Sequence, residues 1–441
     1  MLEKPAVKNI NKLIILLLLL FLIFRIIYVL FLGVYSEKDL MLGDGYGYSE
    51  FAIQFLSGDN WFTNLISFPG DHREPVYPLF LAIVYFIFGI KNYFAVYIIQ
   101  SLISALMIFY IYKISELLFG NNKAAVLALV WSGFYFIYLR YSGELLRETL
   151  VFFLIIYFIY YFIRFSLKKD FKIKYLTFLS FLYAVLIHLD GRYIFYSPFL
   201  FILFFINNHF WSSIKHYLLF GCIVVLFTLP WTIRNYIAYG DVIIISKFTL
   251  NLTGNMVGER GEHFNFHDID SVYSTPAFDC NENYPTIEER DKIKSGLNPN
   301  NRSKYEVNLI KKDVYPAKSY FERKIYFLKK MWLPFDFEYN YSPYPWALFE
   351  TPYSLKHNII SIIGYGIMLP FFLFGIFYSI SKKNKYICFI LLPVVVHLVL
   401  HIIMHGLERY RHPIDSFIII GGSFGMIVLF DLLLSNLKHK K

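Results

Sequence analysis

The strongest constraint on this chain is a series of apolar runs, each about as long as a bilayer is thick. "LIILLLLLFLIFRIIYVLFLG" is the first, and others fall near 76–90, 94–118, 124–140, 148–165, 173–188, 193–206, 216–235, 358–380, 386–404 and 413–435. Runs of roughly 17–25 apolar residues span the hydrocarbon layer as helices. With 57% hydrophobic and 17% charged residues, the 441-residue chain is excluded from the ordinary soluble class. The sequence predicts an all-α polytopic membrane protein. Its opening run is too long for a cleaved signal peptide and reads as a signal anchor.

The formal charge of +10 does not indicate a nucleic-acid partner, because the lysines sit in short loops between apolar runs. "LEKPAVKNINK", "LKKDFKIK", "SSIKH", "SKKNK" and "NLKHKK" are therefore assigned to the cytoplasmic side. Parity between these anchors fails at one run, "PVYPLFLAIVYFIFG", which is short for a span. Read as an interfacial or re-entrant helix in a first external loop over 36–92, it leaves about ten spans and both termini inside. The expected division is an N-terminal transmembrane catalytic module over 1–236, a polar external domain over 237–357 and a C-terminal three-helix membrane module over 358–441. Within the external stretch, Tyr320, Ile325, Leu328 and Trp332 recur at helical spacing. The sequons at Asn251 and Asn301 are near chance in so polar a stretch. Cys222, Cys280 and Cys388 are too dispersed to form a disulfide framework or a thiolate metal site.

The same assignment gathers the acids and arginines that are not topological anchors on the outer face. Asp44 stands between glycines in "LMLGDGYGYSEFAIQFLSGDNW", ahead of an amphipathic stretch carrying Phe51, Phe55 and Leu56. It is either a helix cap or loop acid, or a functional carboxylate at the membrane exit. Glu144 and Glu148 are four apart with Arg147 between them, which makes either a self-satisfied polar cap or an acidic partner for Asp44. Arg73, Arg192, Arg409 and Arg411 each adjoin an apolar run and are either interfacial anchors or, together, a phosphate-binding set. His397, His401 and His405 share one helical face, as hydrogen-bonded cavity groups or as metal ligands. No Walker loop, HExxH motif, dinucleotide turn or nucleophile elbow is present in the sequence.

In this order the motifs resemble those of the membrane-embedded GT-C glycosyltransferases. More narrowly, they are similar to the bacterial branch near the protein O-mannosyltransferases and lipid A aminoarabinose transferases. The resemblance rests on Asp44 and Tyr48 before "SEFAIQFLSGDNW", on "REPVYPLFLAIVYFIFG", on "RETLVFFLIIY", on "PWTIRNYIAYGDVIIISKFTLNLTGN" and on "ERYRHPIDSFIIIGG". It implies transfer of a sugar from a polyprenyl-phosphate carrier to an extracytoplasmic acceptor (a cell-envelope glycan, lipid or protein), with inversion. Asp44 would be the general base and Glu148 the second catalytic acid. Arg73, Tyr48, Glu144, Arg192, Arg409 and Arg411 would bind substrates. Asp44 is followed by "GYGY" and not by a second acid, so no cofactor is expected to be required, with magnesium or manganese the one candidate. The expected setting is the bacterial inner membrane with the site facing outward. The alternative from another class is a transporter or flippase of lipid-linked sugars, which would not need a lone acid at the exit of the first span.

Overall fold

The computed structural model describes residues 4–32, 44–57, 74–169, 171–206, 209–239, 362–403 and 408–439, together with positions 242, 244, 332 and 359. Among the described residues all regular structure is helical: α1 (Lys4–Leu32), α2 (Asp44–Ser57), α3 (Val76–Phe88), α4 (Tyr93–Phe119), α5 (Asn122–Phe134), α6 (Phe136–Ser142), α7 (Glu148–Lys168), α8 (Ile173–Leu189), α9 (Ser197–Phe205), α10 (Phe210–Tyr239), α11 (Met368–Ser381), α12 (Cys388–Ile403) and α13 (Glu408–His439). A 3₁₀ turn, Gly191–Tyr196, joins α8 to α9, and a π turn, Ile362–Gly366, precedes α11. The expected external domain, 237–357, lies outside the described residues apart from the end of α10 and isolated positions.

Local chemistry sets the boundaries. α4 closes on Gly120 in the left-handed region at φ +59°, and Asn121 caps α5 by accepting from the amides of Lys123 and Ala124 at 3.0 and 3.1 Å. A glycine C-cap followed by an asparagine N-cap makes a tight helical hairpin. Asn92 caps the start of α4 in the same way, at 3.1 Å from the Ala95 amide.

Inside the bilayer, packing is driven by close fit and by satisfied polar groups, since lipid is as apolar as leucine. Arg25, in the middle of α1, is fully buried. Its guanidinium donates to Ser104 Oγ at 2.9 Å and to the carbonyls of Phe21 and Gly133 at 3.1 and 3.2 Å. That arginine therefore ties α1 to α4 and α5. α7, α8 and α10 meet through aromatic rings: Tyr183 lies 5.5 Å from Phe158 and 5.6 Å from Phe220. α11 and α13 approach most closely at Gly375 and Gly425. A β-carbon on Gly425 would stand 2.0 Å from the Phe371 carbonyl oxygen.

Among the described residues, six helices are long and apolar enough to cross a membrane, or seven if α5 and α6, bent by 50°, form one broken span. The expected spans over 173–188, 193–206 and 386–404 fold as shorter apolar helices, so ten is not confirmed. The 13-residue α3 covers about 20 Å, short of the roughly 30 Å hydrocarbon layer.

Candidate active site

A relay of buried contacts fixes the ground on which the polar residues stand. Tyr48 on α2 packs edge-on against Tyr77 on α3, ring centroids 4.9 Å apart. The Tyr77 hydroxyl donates to Gln100 Oε1 at 2.9 Å, and Gln100 Nε2 donates to the Glu144 carbonyl at 2.7 Å. Gln100 is itself fully buried on α4. The turn between α6 and α7, which carries Glu144, Arg147 and Glu148, is thus held by a side chain from a neighbouring span. Thr149 donates to the Tyr141 carbonyl at 2.8 Å and fastens the first turn of α7 to the end of α6.

On that platform the charged groups converge. Asp190, just past the end of α8, is buried and accepts from Arg192 Nε at 2.9 Å and from the Arg192 amide at 3.2 Å. Arg147 reaches the same carboxylate at 3.5 Å and donates to the Leu189 carbonyl at 3.2 Å. Burial alone would favour the neutral acid, but the Arg147 and Arg192 guanidiniums outweigh it and hold the Asp190 carboxyl well below its usual range. For Arg147 the balance is the mirror image. Burial disfavours its charge, and Asp190 foremost, with Tyr48, Glu148 and Asp44 behind it, raises its basicity above the ordinary value. One guanidinium therefore senses acids from α2, from the start of α7 and from the end of α8. Asp44 is the first residue of α2, where the free amides of a helix start favour a negative charge.

α12 brings two imidazoles, His397 and His401, to this cluster. The His397 Nδ1 shares a 2.6 Å hydrogen bond with the Tyr196 hydroxyl. His401 Nδ1 lies 2.8 Å from the His397 carbonyl, and the two rings, tilted by 36°, have centroids 4.2 Å apart. His401 lies within electrostatic reach of Arg192 and Asp190. These bonds match the hydrogen-bonded reading of the histidines, whereas His405 lies outside the described residues. Among the described residues no three His, Cys, Asp or Glu side chains are placed to hold a metal ion.

Beside the cluster opens an apolar cavity of about 640 Å³, walled by Phe55, Leu79 and Phe86 and ending in His188, Trp231 and Arg234. His188, on the cavity wall, precedes Asp190 of the charged cluster by two residues. Neither ring nitrogen of buried His188, nor the indole Nε1 of Trp231, has a hydrogen-bond partner among the described residues. Arg234 stacks over the Trp231 ring at 4.9 Å. Unsatisfied donors at the polar end of an apolar cavity suit an amphiphile with an anionic head.

Of the residues singled out from sequence, Asp44, Tyr48, Glu148 and Arg192 are brought to this one locality. Glu144 is near in the chain but its carboxylate faces Arg140 at 2.7 Å. Arg411 is buried in α13, paired with Asp415 at 3.1 Å and set over the Tyr365 ring at 3.8 Å. Arg73 and the Arg409 side chain lie outside the described residues. Sequence reasoning passed over Asp190, His188 and Arg234 as site residues. Each is a polar or charged side chain within or beside an apolar run, and that was the available signal.

Residues 71–233 match the family described as dolichyl-phosphate-mannose-protein mannosyltransferase. Among curated proteins, none matches the chain significantly. Among solved structures, the fold is similar to that of the oligosaccharyltransferase AglB from Archaeoglobus fulgidus in complex with an inhibitory peptide and a dolichol-phosphate. The TM-score is 0.53 at 14% identity, covering 96% of this chain and 52% of that one. An oligosaccharyltransferase from Archaeoglobus fulgidus, tethered to an acceptor peptide containing the NVT sequon, gives a TM-score of 0.54 at 14% identity, over 94% of this chain and 50% of that one. Its apo form gives 0.53 at 13% identity, over 96% and 52%. The chain spans about half the length of the structures it matches.

Proposed function

We propose that this chain transfers a sugar from a polyprenyl-phosphate carrier to an acceptor outside the cytoplasm; the match of residues 71–233 to the dolichyl-phosphate-mannose-protein mannosyltransferase family and a fold similar to that of an archaeal oligosaccharyltransferase support this reading. One observation carries this reading: an apolar cavity lined by His188 and Trp231, whose ring nitrogens have no hydrogen-bond partner among the described residues, lies two chain positions from Asp190, which anchors the charged cluster. The cavity suits the prenyl tail and the polar end suits its phosphate, with Arg234 supplying charge. In this reading Arg147 and Arg192, held by Asp190, stabilise the negative charge that develops on the leaving phosphate. Pre-oriented cations of this kind stabilise a transition state without reorganising.

Asp44 acts as the general base. It takes the proton of an acceptor hydroxyl as that oxygen attacks the anomeric carbon, while the bond from that carbon to the carrier's phosphate oxygen breaks. One in-line displacement inverts the anomeric centre. Glu148, sharing the field of Arg147 with Asp44, orients the acceptor. The acceptor is an envelope glycan, lipid or protein, and the membrane is a bacterial inner membrane.

The test is sugar transfer by the purified full chain in lipid nanodiscs, from a polyprenyl-phosphate sugar to envelope acceptors. Asp44→Asn should lower turnover by about 10²–10⁴-fold, the usual contribution of a positioned acid or base. Full turnover in that variant would remove Asp44 from the mechanism. A wild-type protein that moves lipid-linked sugar across the bilayer without transferring it would overturn the enzymatic reading altogether.

A further inference from the structure

At the other end of α7 and α8 lies a second cavity, of about 390 Å³, which the proposed reaction does not use. Three cations border it: Arg164 and Lys168, one turn apart on α7, and Lys174 in the first turn of α8. All three are exposed, and none has a carboxylate partner among the described residues. The floor is aromatic and well built. Tyr161 packs on Phe165 at 5.7 Å, Phe165 on Tyr175 at 4.5 Å, and Tyr161 on Phe178 at 5.0 Å. Lys174 is anchored over the Tyr175 ring at 4.7 Å.

Depth decides what this pocket meets. α7 has 21 residues and so a length of about 30 Å, one hydrocarbon thickness. Arg147 and Glu148 stand at its start, Lys168 at its end. The basic pocket is therefore at the opposite membrane surface from the charged cluster, the surface that the lysine-bearing loops mark as cytoplasmic. From its floor an apolar path continues toward the bilayer: Phe181, one turn beyond Phe178 on α8, is 46% exposed.

We infer that this pocket binds the phosphate of an anionic phospholipid headgroup from the cytoplasmic leaflet, with an acyl chain lying along Phe178 and Phe181. Convergent cations without acidic partners recognise phosphate, and arginine does so with two parallel hydrogen bonds. A free phosphate ion satisfies the cations but gains nothing from the aromatic floor or the apolar path. The lipid satisfies both, and its place in the bilayer coincides with that of the pocket.

The experiment is native mass spectrometry of the full chain, with phosphatidylglycerol titrated against phosphatidylcholine. Wild type should prefer phosphatidylglycerol, and the preference should weaken with salt. The triple variant R164Q/K168Q/K174Q should lose about fivefold per cation, on the order of a hundredfold in all. K382Q/K383Q/K385Q, which removes three exposed lysines from another loop of the same surface, should keep the preference. Equal loss in both triples would reduce the effect to general surface charge and overturn the site, as would an unchanged preference in the first. Millimolar inorganic phosphate that displaces the lipid completely would assign the pocket to a soluble anion and overturn the lipid. If the first triple does not fold, K168Q and K174Q singly must each show the fivefold loss for the site to stand.

Discussion

Asp190 is the residue on which the charged cluster turns. It is buried, it engages two guanidiniums, and it determines where both point. Removing it would leave Arg147 and Arg192 facing one another without the carboxylate that both engage. Asp190→Ala should therefore lower stability by about 3–5 kcal/mol, the usual result of breaking a buried ion pair from one side. Thermal unfolding in a fixed detergent measures it. Its pH behaviour follows from the same contacts. A carboxyl held below its ordinary range contributes stability that is present at neutral pH and is lost as pH falls below about 4, where the unfolded chain takes up the proton. Between pH 7 and pH 3 the wild type should lose more stability than Asp190→Asn does. Equal loss in the two proteins would show that the arginines draw nothing from the charge of Asp190. In the sequence this residue is visible only as the acid beside Arg192 in "HLDGR", and nothing in that spacing shows that Arg147 shares it.

Among the helices, the tightest contact is between α11 and α13. Gly421 and Gly425 stand four apart in "GGSFG", and Gly375 of α11 meets both: a β-carbon placed on Gly375 would lie 2.5 Å from the Gly421 carbonyl oxygen and 3.1 Å from the Gly425 Cα. Small residues one turn apart let two backbones approach where lipid offers no hydrophobic drive. Gly425→Val should push α13 away from α11 and cost about 1–3 kcal/mol or more, as overpacking of a close interface does. Leu434→Ala, on an exposed part of α13, should change the melting temperature little by comparison. If both variants melt together, the glycine contact contributes nothing particular. The small-residue spacing was legible in the sequence as letters, but its partner at Gly375 was not, because spacing on one helix does not name the helix it meets.

Across the whole molecule, the C-terminal helices are keyed into the N-terminal ones by buried polar contacts. Tyr135 donates to Asp415 at 2.7 Å, Tyr138 and Ser416 share a 2.6 Å hydrogen bond, and Trp131 donates to the Gly364 carbonyl at 2.7 Å. Asp415 also holds Arg411 and His412. Each of these groups would be costly to expose to hydrocarbon, so together they specify one arrangement of α5, α6 and α13. Asp415→Ala should loosen this junction and lower the melting temperature in a fixed detergent. An unchanged melting temperature in that variant would show that helix packing alone holds the two parts together. Arg411 has a structural explanation here that its sequence context did not supply.

The helical class, the membrane setting and the order of the motifs were determined by the sequence alone, because bilayer thickness and the cost of unpaired backbone groups in lipid leave an apolar run little choice. The placement of Asp44 and Glu148 near one another was likewise open to reading, since charge asymmetry and parity put them on one face. Only the tertiary structure decided that Arg147 and Arg192 share Asp190, that Glu144 turns to Arg140, and that His188, Trp231 and Arg234 end an apolar cavity. Those pairings join residues from different helices. Which helix faces which is set by the close fit of side chains, and no periodicity within one segment records it.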